Sequence, residues 1–95
     1  MKANLEQIKK QILPILKYHK AKRAGLFGSL VRGQIKDKSD IDILVDLDKN
    51  LSLLDIVGIE QELEDVLGRK VDLVEYEAIK PIIKNYILSE EIRIL

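Results

Sequence analysis

Residues 40 to 47 read Asp40-Ile41-Asp42-Ile43-Leu44-Val45-Asp46-Leu47, a nearly continuous apolar run that opens with two acids one residue apart. Side chains two apart on a strand share a face, so Asp40 and Asp42 stand together while Ile41, Ile43 and Val45 turn the other way. Such a run fits a strand covered on both faces in the middle of a sheet. Two carboxylates side by side with no cation between them repel, and stability alone would not place them there. A hard divalent cation resolves the conflict. With no histidine or cysteine close by in the sequence, oxygen ligands of this kind suit Mg²⁺ or Mn²⁺.

Ninety-five residues are expected to make a single domain, 1–95. A chain of this size buries roughly 60–70 % of its unfolded surface, enough for a modest core. Lys plus Arg and Asp plus Glu each number 16, so the net charge is zero and nothing draws the chain as a whole to nucleic acid or an anionic membrane. The absence of cysteine removes disulfide and thiolate chemistry and favours a cytoplasmic location. The single His19 argues against a His-based zinc site. The start, Met1-Lys2-Ala3-Asn4, is too polar for a signal peptide, and no apolar run reaches the ~18–20 residues of a membrane span.

Along the chain, Asn4 is a plausible N-cap, and Leu5, Ile8, Ile12, Ile15 and Leu16 follow at helical spacing. Pro14 predicts a kink or break inside this helix without ending it. The basic stretch Lys17, Lys20, Lys22 and Arg23 reads as a solvated helix end. Ala24 to Phe27 is a short first strand; Leu30 to Gly33 starts a short helix, and Gln34 to Ser39 is a polar loop. Ser52 and Asp55 form a capping-box start for a helix carrying Ile56, Ile59, Leu63, Val66 and Leu67, with Gly68 placed for the left-handed C′ position. Val71 to Val74 is the third strand, and Pro81 opens the last helix. The predicted fold is therefore α/β (α+β): a small mixed β-sheet with helices packed on it.

Three further features carry chemistry. Gly28-Ser29 closes a strand and opens a helical turn. Glycine there permits close backbone approach, and exposed N–H groups with a serine hydroxyl can bind phosphate oxygens; alone, the dipeptide is also an ordinary turn. Asp72 interrupts an apolar strand, where an acid is costly unless paired or ligated. If its strand neighbours that of Asp42, three carboxylates converge, enough for two cations about 3.5–4 Å apart. Arg32 either reaches a phosphate or pairs with and orients one of the acids. Asp46 and Asp48 extend the same row but read as solvated, and Tyr18, Tyr76 and Tyr86 read as packing at the edge of the core.

The string Leu26-Phe27-Gly28-Ser29, Arg32-Gly33, then Ser39-Asp40-Ile41-Asp42, with Asp72 in a later strand, resembles the DNA polymerase β nucleotidyltransferase superfamily, and more narrowly its minimal nucleotidyltransferase (MNT) branch. The resemblance covers nearly the whole chain and lacks no motif residue. It implies a polymerase β-like core in which Asp40, Asp42 and Asp72 hold two Mg²⁺ ions, Gly28 and Ser29 contact the β- and γ-phosphates of ATP, and a hydroxyl attacks the α-phosphorus. Asp72 would help align or deprotonate that hydroxyl.

The core supplies little to grip an acceptor. MNT proteins of this size resemble the antitoxin half of two-gene systems whose toxin is a HEPN-domain ribonuclease, which implies transfer of AMP from ATP to a toxin tyrosine. The C-terminal residues Ile79, Ile82, Ile83, Tyr86, Ile87, Ile92, Ile94 and Leu95 exceed what one helix face needs; a remainder left exposed marks a surface for a partner or for a second copy of the chain. Two alternatives stand beside this: a binding-only antitoxin whose acids hold a structural cation, and a nucleotidyltransferase acting on a small molecule. Nucleic-acid extension is disfavoured, because no basic track accompanies the acids.

Overall fold

The computed structural model describes residues 5–33 and 40–95. The expected Asn4 cap and the Gln34–Ser39 loop lie outside the described residues. Helix α1 (Leu5–Tyr18) carries Pro14 within it and does not end there. Strand β1 (Arg23–Phe27) leads into a 3-10 turn at Gly28–Leu30, and β2 (Ile41–Asp46) follows. Helix α2 (Leu53–Leu67) connects β2 to β3 (Val71–Glu75); a second 3-10 turn, Tyr76–Ala78, precedes α3 (Pro81–Glu90) and the short β4 (Ile92–Arg93). The sheet order is β3-β2-β1-β4. β1 runs antiparallel to both β2 and β4, whereas β2 and β3 are parallel. Parallel neighbours need a crossover, and α2 supplies it.

The local chemistry of α2 explains where it begins and ends. The Ser52 hydroxyl accepts from the Asp55 N–H at 3.2 Å and the Asp55 carboxylate accepts from the Ser52 N–H at 2.9 Å, a complete capping box. Gly68 closes the helix at φ 65°, ψ 23°, a left-handed conformation in which glycine carries no steric penalty. The same helix seals the outer edge of β3. Glu64 accepts from the Val71 N–H at 2.9 Å and Glu60 from the Leu73 N–H at 3.2 Å. These are the outward-facing amides of a strand paired on one side only.

The two faces of the sheet bury different things. Ile41, Ile43 and Val45 of β2 pack with Ala24, Leu26 and Val71 beneath α1 and α2, around Ile12, Leu16, Ile59 and Leu63. The opposite face holds a smaller cluster of Leu44, Tyr76 and Ile79, flanked by Phe27, Val74, Ile87 and Leu88. β2 thus occupies the middle of the sheet with apolar contacts on both sides, as its composition predicts. The last helix and tail divide their apolar residues. Ile79 is buried, Ile87 and Leu88 cover the smaller cluster, and Ile94 and Leu95 pack on the larger. Ile82 at 89 %, Tyr86 and Ile83 remain exposed.

Arg23 departs from the solvated basic stretch. Lys17, Lys20 and Lys22 are exposed, but Arg23 begins β1 and turns onto the smaller face. Its guanidinium lies 4.2 Å from the Tyr76 ring centroid and pairs with Glu91 at 3.3 Å. The Tyr76 hydroxyl donates to the same Glu91 carboxylate, whose side chain is only 6 % exposed. Burial and this anionic partner hold the Tyr76 phenol well above its ordinary pKa. The clasp ties the end of α3 to β1, and Gly25 makes room for it: a Cβ there would collide with the Glu91 carboxylate.

Two glycine replacements should therefore act in opposite directions. Gly25→Ala should destabilise by ~1–3 kcal/mol through overpacking against Glu91. Gly58→Ala, in the interior of α2 with open space around it, should stabilise by ~0.5–1 kcal/mol. Urea unfolding of the two variants measures both; a neutral Gly25→Ala would remove the clasp from the account of the fold.

Candidate active site

The site grows from the register of two strands. In the parallel pair, Asp42 of β2 lies directly opposite Asp72 of β3, each the second residue of its strand. The neighbouring positions Ile41, Ile43, Val71 and Leu73 pack on the larger cluster, so both acids belong to the other face, at the rim of the smaller cluster. Asp40 sits exposed immediately before β2, and Asp72 is also exposed, whereas Asp42 is half-buried. On its other side Asp42 faces Phe27, the residue before Gly28.

Gly28 has φ 78°, within the left-handed region, and a Cβ added to it would run into the Asp42 carboxylate. Glycine is thus required twice here, by conformation and by space. The turn is held by the Val31 and Arg32 N–H groups, which both donate to the Gly28 carbonyl at 3.1 Å. The helical turn begins at Gly28, earlier than the expected Leu30 to Gly33 segment. Ser29 lies in this turn through its backbone; its hydroxyl, and Ser39, lie outside what is described.

The electrostatics of the row concentrate on Asp42. Its carboxyl is pushed from 3.8 up to about 6, first by burial, then by the charges of Asp72 and Asp40, with Arg32 pulling it partly back. Among the described residues, no three His, Cys, Asp or Glu side chains are gathered into a ready-made metal cluster. The strands set Asp42 and Asp72 side by side, and Asp40 adds its charge to theirs. The residues fit a hard divalent cation on two counts: the donors are all carboxylate oxygens, and the central one is half-buried beside two like charges.

Arg32 reaches across to the end of α3. Its guanidinium bonds the two carboxylate oxygens of Glu90, at the end of α3, at 3.0 and 3.4 Å, and acts on Asp42 through its charge. Asp48 is a turn acid whose carboxylate accepts from the Asn50 N–H at 2.9 Å. Asp46 is half-buried, in register with Arg23. Tyr76 packs in the core, but Tyr18 and Tyr86 are exposed, contrary to the expected packing at its edge. Glu90 and Glu91 are the residues that sequence reasoning passed over. The signal was available, since two adjacent acids at a helix C-terminus oppose the helix dipole and need partners.

A small mixed sheet with helices against it, an acid row across two neighbouring strands and a glycine turn beside it define a nucleotidyltransferase core. The family model for polymerase β nucleotidyltransferases matches residues 10–95, and the chain belongs to that family, in its minimal nucleotidyltransferase branch. A Methanocaldococcus jannaschii protein provisionally named a protein adenylyltransferase is 48 % identical over 92 residues, covering 97 % of this chain and 99 % of its own length. A solved structure described provisionally as a minimal nucleotidyltransferase is 33 % identical with a TM-score of 0.80, covering 93 % of this chain and 90 % of that one. A solved toxin–antitoxin structure with AMP-PNP is 25 % identical with a TM-score of 0.81, over 92 % of this chain and 72 % of that one.

The raised carboxyl of Asp42 has a pH signature. Because its folded pKa exceeds the unfolded value of 3.8, its contribution is intact below about pH 4 and is lost as pH rises through about 6. In chelator-treated protein, the stability of the wild type relative to Asp42→Asn should fall by ~2 kcal/mol between pH 4 and 7, after allowance for partial solvation. Parallel pH profiles of thermal unfolding for the two proteins would take Asp42 out of the charge cluster.

Proposed function

We propose that this protein is a Mg²⁺-dependent protein adenylyltransferase that transfers AMP from ATP to a tyrosine hydroxyl of a HEPN-domain toxin, and so acts as its antitoxin. The observation that carries the reading is the Asp42–Asp72 register beside Gly28, with Asp40 adding its charge. Adenylyltransferase activity is the provisional assignment of the Methanocaldococcus relative, and the AMP-PNP-bound toxin–antitoxin structure shares the fold. The HEPN partner rests on the resemblance of the Gly28–Asp42 motif to the MNT branch.

Each residue then has a task. Asp40, Asp42 and Asp72 hold two divalent cations, for which Mn²⁺ is an alternative to Mg²⁺. When bound, such ions neutralise charge on the attacking and leaving oxygens of an in-line displacement. The backbone at Gly28 and Ser29 admits the β- and γ-phosphates close to the acids, and the Ser29 hydroxyl adds a donor. Asp72, the more exposed of the paired strand acids, aligns the incoming hydroxyl and receives its proton. Arg32, 39 % exposed by its side chain, stands beside the same turn with its charge already felt at Asp42, placed to meet a phosphate. Ile82, Ile83 and Tyr86 offer an exposed apolar surface on α3 for the partner or for a second copy of the chain.

Incubation of the toxin with this protein, Mg²⁺ and ATP labelled at the α-phosphate should label the toxin. Asp40→Asn, Asp42→Asn and Asp72→Asn should each cut transfer by ~100-fold or more while leaving the fold as stable or more so. Near-normal transfer by any of the three removes that residue from the site. Toxin neutralised without label would establish a binding-only antitoxin, and turnover onto a small acceptor without toxin would redirect the reading to small-molecule chemistry.

A further inference from the structure

The acceptor hydroxyl that this site acts on need not come only from outside. Three tyrosines are present, and the fold treats each differently. Tyr76 is buried, with its hydroxyl committed to Glu91. Tyr18 is 80 % exposed but ends α1, on the opposite side of the sheet from the acids, where its ring meets His19 edge-on. Tyr86 is 60 % exposed and lies on α3, the helix that covers the acid-bearing face through Ile87 and Leu88.

The hydroxyl of Tyr86 donates to Glu90 at 3.3 Å, and the same carboxylate holds the Arg32 guanidinium at 3.0 Å. Arg32 in turn follows the Gly28 turn directly and makes itself felt at Asp42. A continuous polar chain therefore runs from an exposed phenol to the Gly28 turn. A tyrosine bonded to a carboxylate one helical turn away could serve helix stability alone. That explanation accounts for Tyr86–Glu90 alone; the Glu90–Arg32 pair, across 58 residues, ties the same carboxylate to the Gly28 turn.

We propose that Tyr86 is an acceptor within its own chain, so that the protein adenylylates itself at the Tyr86 hydroxyl. The inference rests on the function proposed above. Tyr86 Oη forms a bond to the α-phosphorus of ATP, the bond from that phosphorus to the oxygen bridging to the β-phosphate breaks, and pyrophosphate leaves. The phenolic proton passes to the Glu90 carboxylate that Tyr86 already faces. The product carries a bulky anionic nucleotide beside Ile82 and Ile83, on the surface that would otherwise be apolar. Modification would thus convert this face from one that accepts an apolar partner to one that repels it.

The test uses the whole chain alone with Mg²⁺ and ATP labelled at the α-phosphate, followed by peptide mapping, with labelling of the HEPN toxin measured in parallel. Label on the peptide containing Tyr86, at a fraction per chain that does not change with protein concentration, is the expected result. Tyr86→Phe, which removes one exposed oxygen, should lose that label; Tyr18→Phe should keep it, together with transfer to the toxin. A labelled toxin with an unlabelled chain, label that survives Tyr86→Phe, or labelling that rises with concentration would overturn the inference while leaving the adenylyltransferase reading standing. Absence of label on chain and toxin alike would overturn both.

Discussion

Placing Asp42 and Asp72 directly opposite each other on adjacent parallel strands is the constraint around which the remainder of this molecule is arranged. Like charges at one register position are destabilising, and a 95-residue core has little to spare against them. The fold meets the cost through what surrounds the pair. Leu44, the next residue of β2 on that face, is fully buried under Tyr76 and Ile79, and the other face is a dense layer of Ile41, Ile43, Val45, Val71 and their helix partners. The parallel register itself depends on α2, whose length and caps deliver β3 to the correct position alongside β2.

Most of this was legible because the relevant signals are local. The capping box at Ser52 and Asp55, the αL glycine at 68 and the proline at the first position of α3 are each decided by a few neighbouring residues, and the structure shows them where the sequence places them. The two-faced character of β2 follows from its alternation of Ile41, Ile43 and Val45 against Asp42 and Leu44. What could not be read is what depends on distant pairing. β4 is two residues long and exists only because β1 offers an edge to Ile92 and Arg93. The adjacency of β2 and β3 had to be assumed before Asp42 and Asp72 could be matched.

The site divides in the same way. Its acids and glycine announce themselves through a short spacing that has no cheap structural explanation. Arg23, Arg32, Glu90 and Glu91 do not, since charged residues at strand and helix ends are ordinary until their partners are known. Here the two adjacent glutamates at the end of α3 separate toward different arginines, one beside the Gly28 turn and one inside the smaller core. Helix α3 is thereby fastened at one end to the turn that would meet the substrate and to the first strand of the sheet.

The carboxylates of Glu60 and Glu64 on the outward amides of Val71 and Leu73 bear on how other chains can approach. An open strand edge invites an incoming segment to extend the sheet by main-chain hydrogen bonding. Along β3 those donors are already satisfied by a helix of the same molecule. Strand addition is thereby opposed on the side nearest Asp72, and a chain approaching that acid is steered over the face of the sheet instead of zipping onto its border.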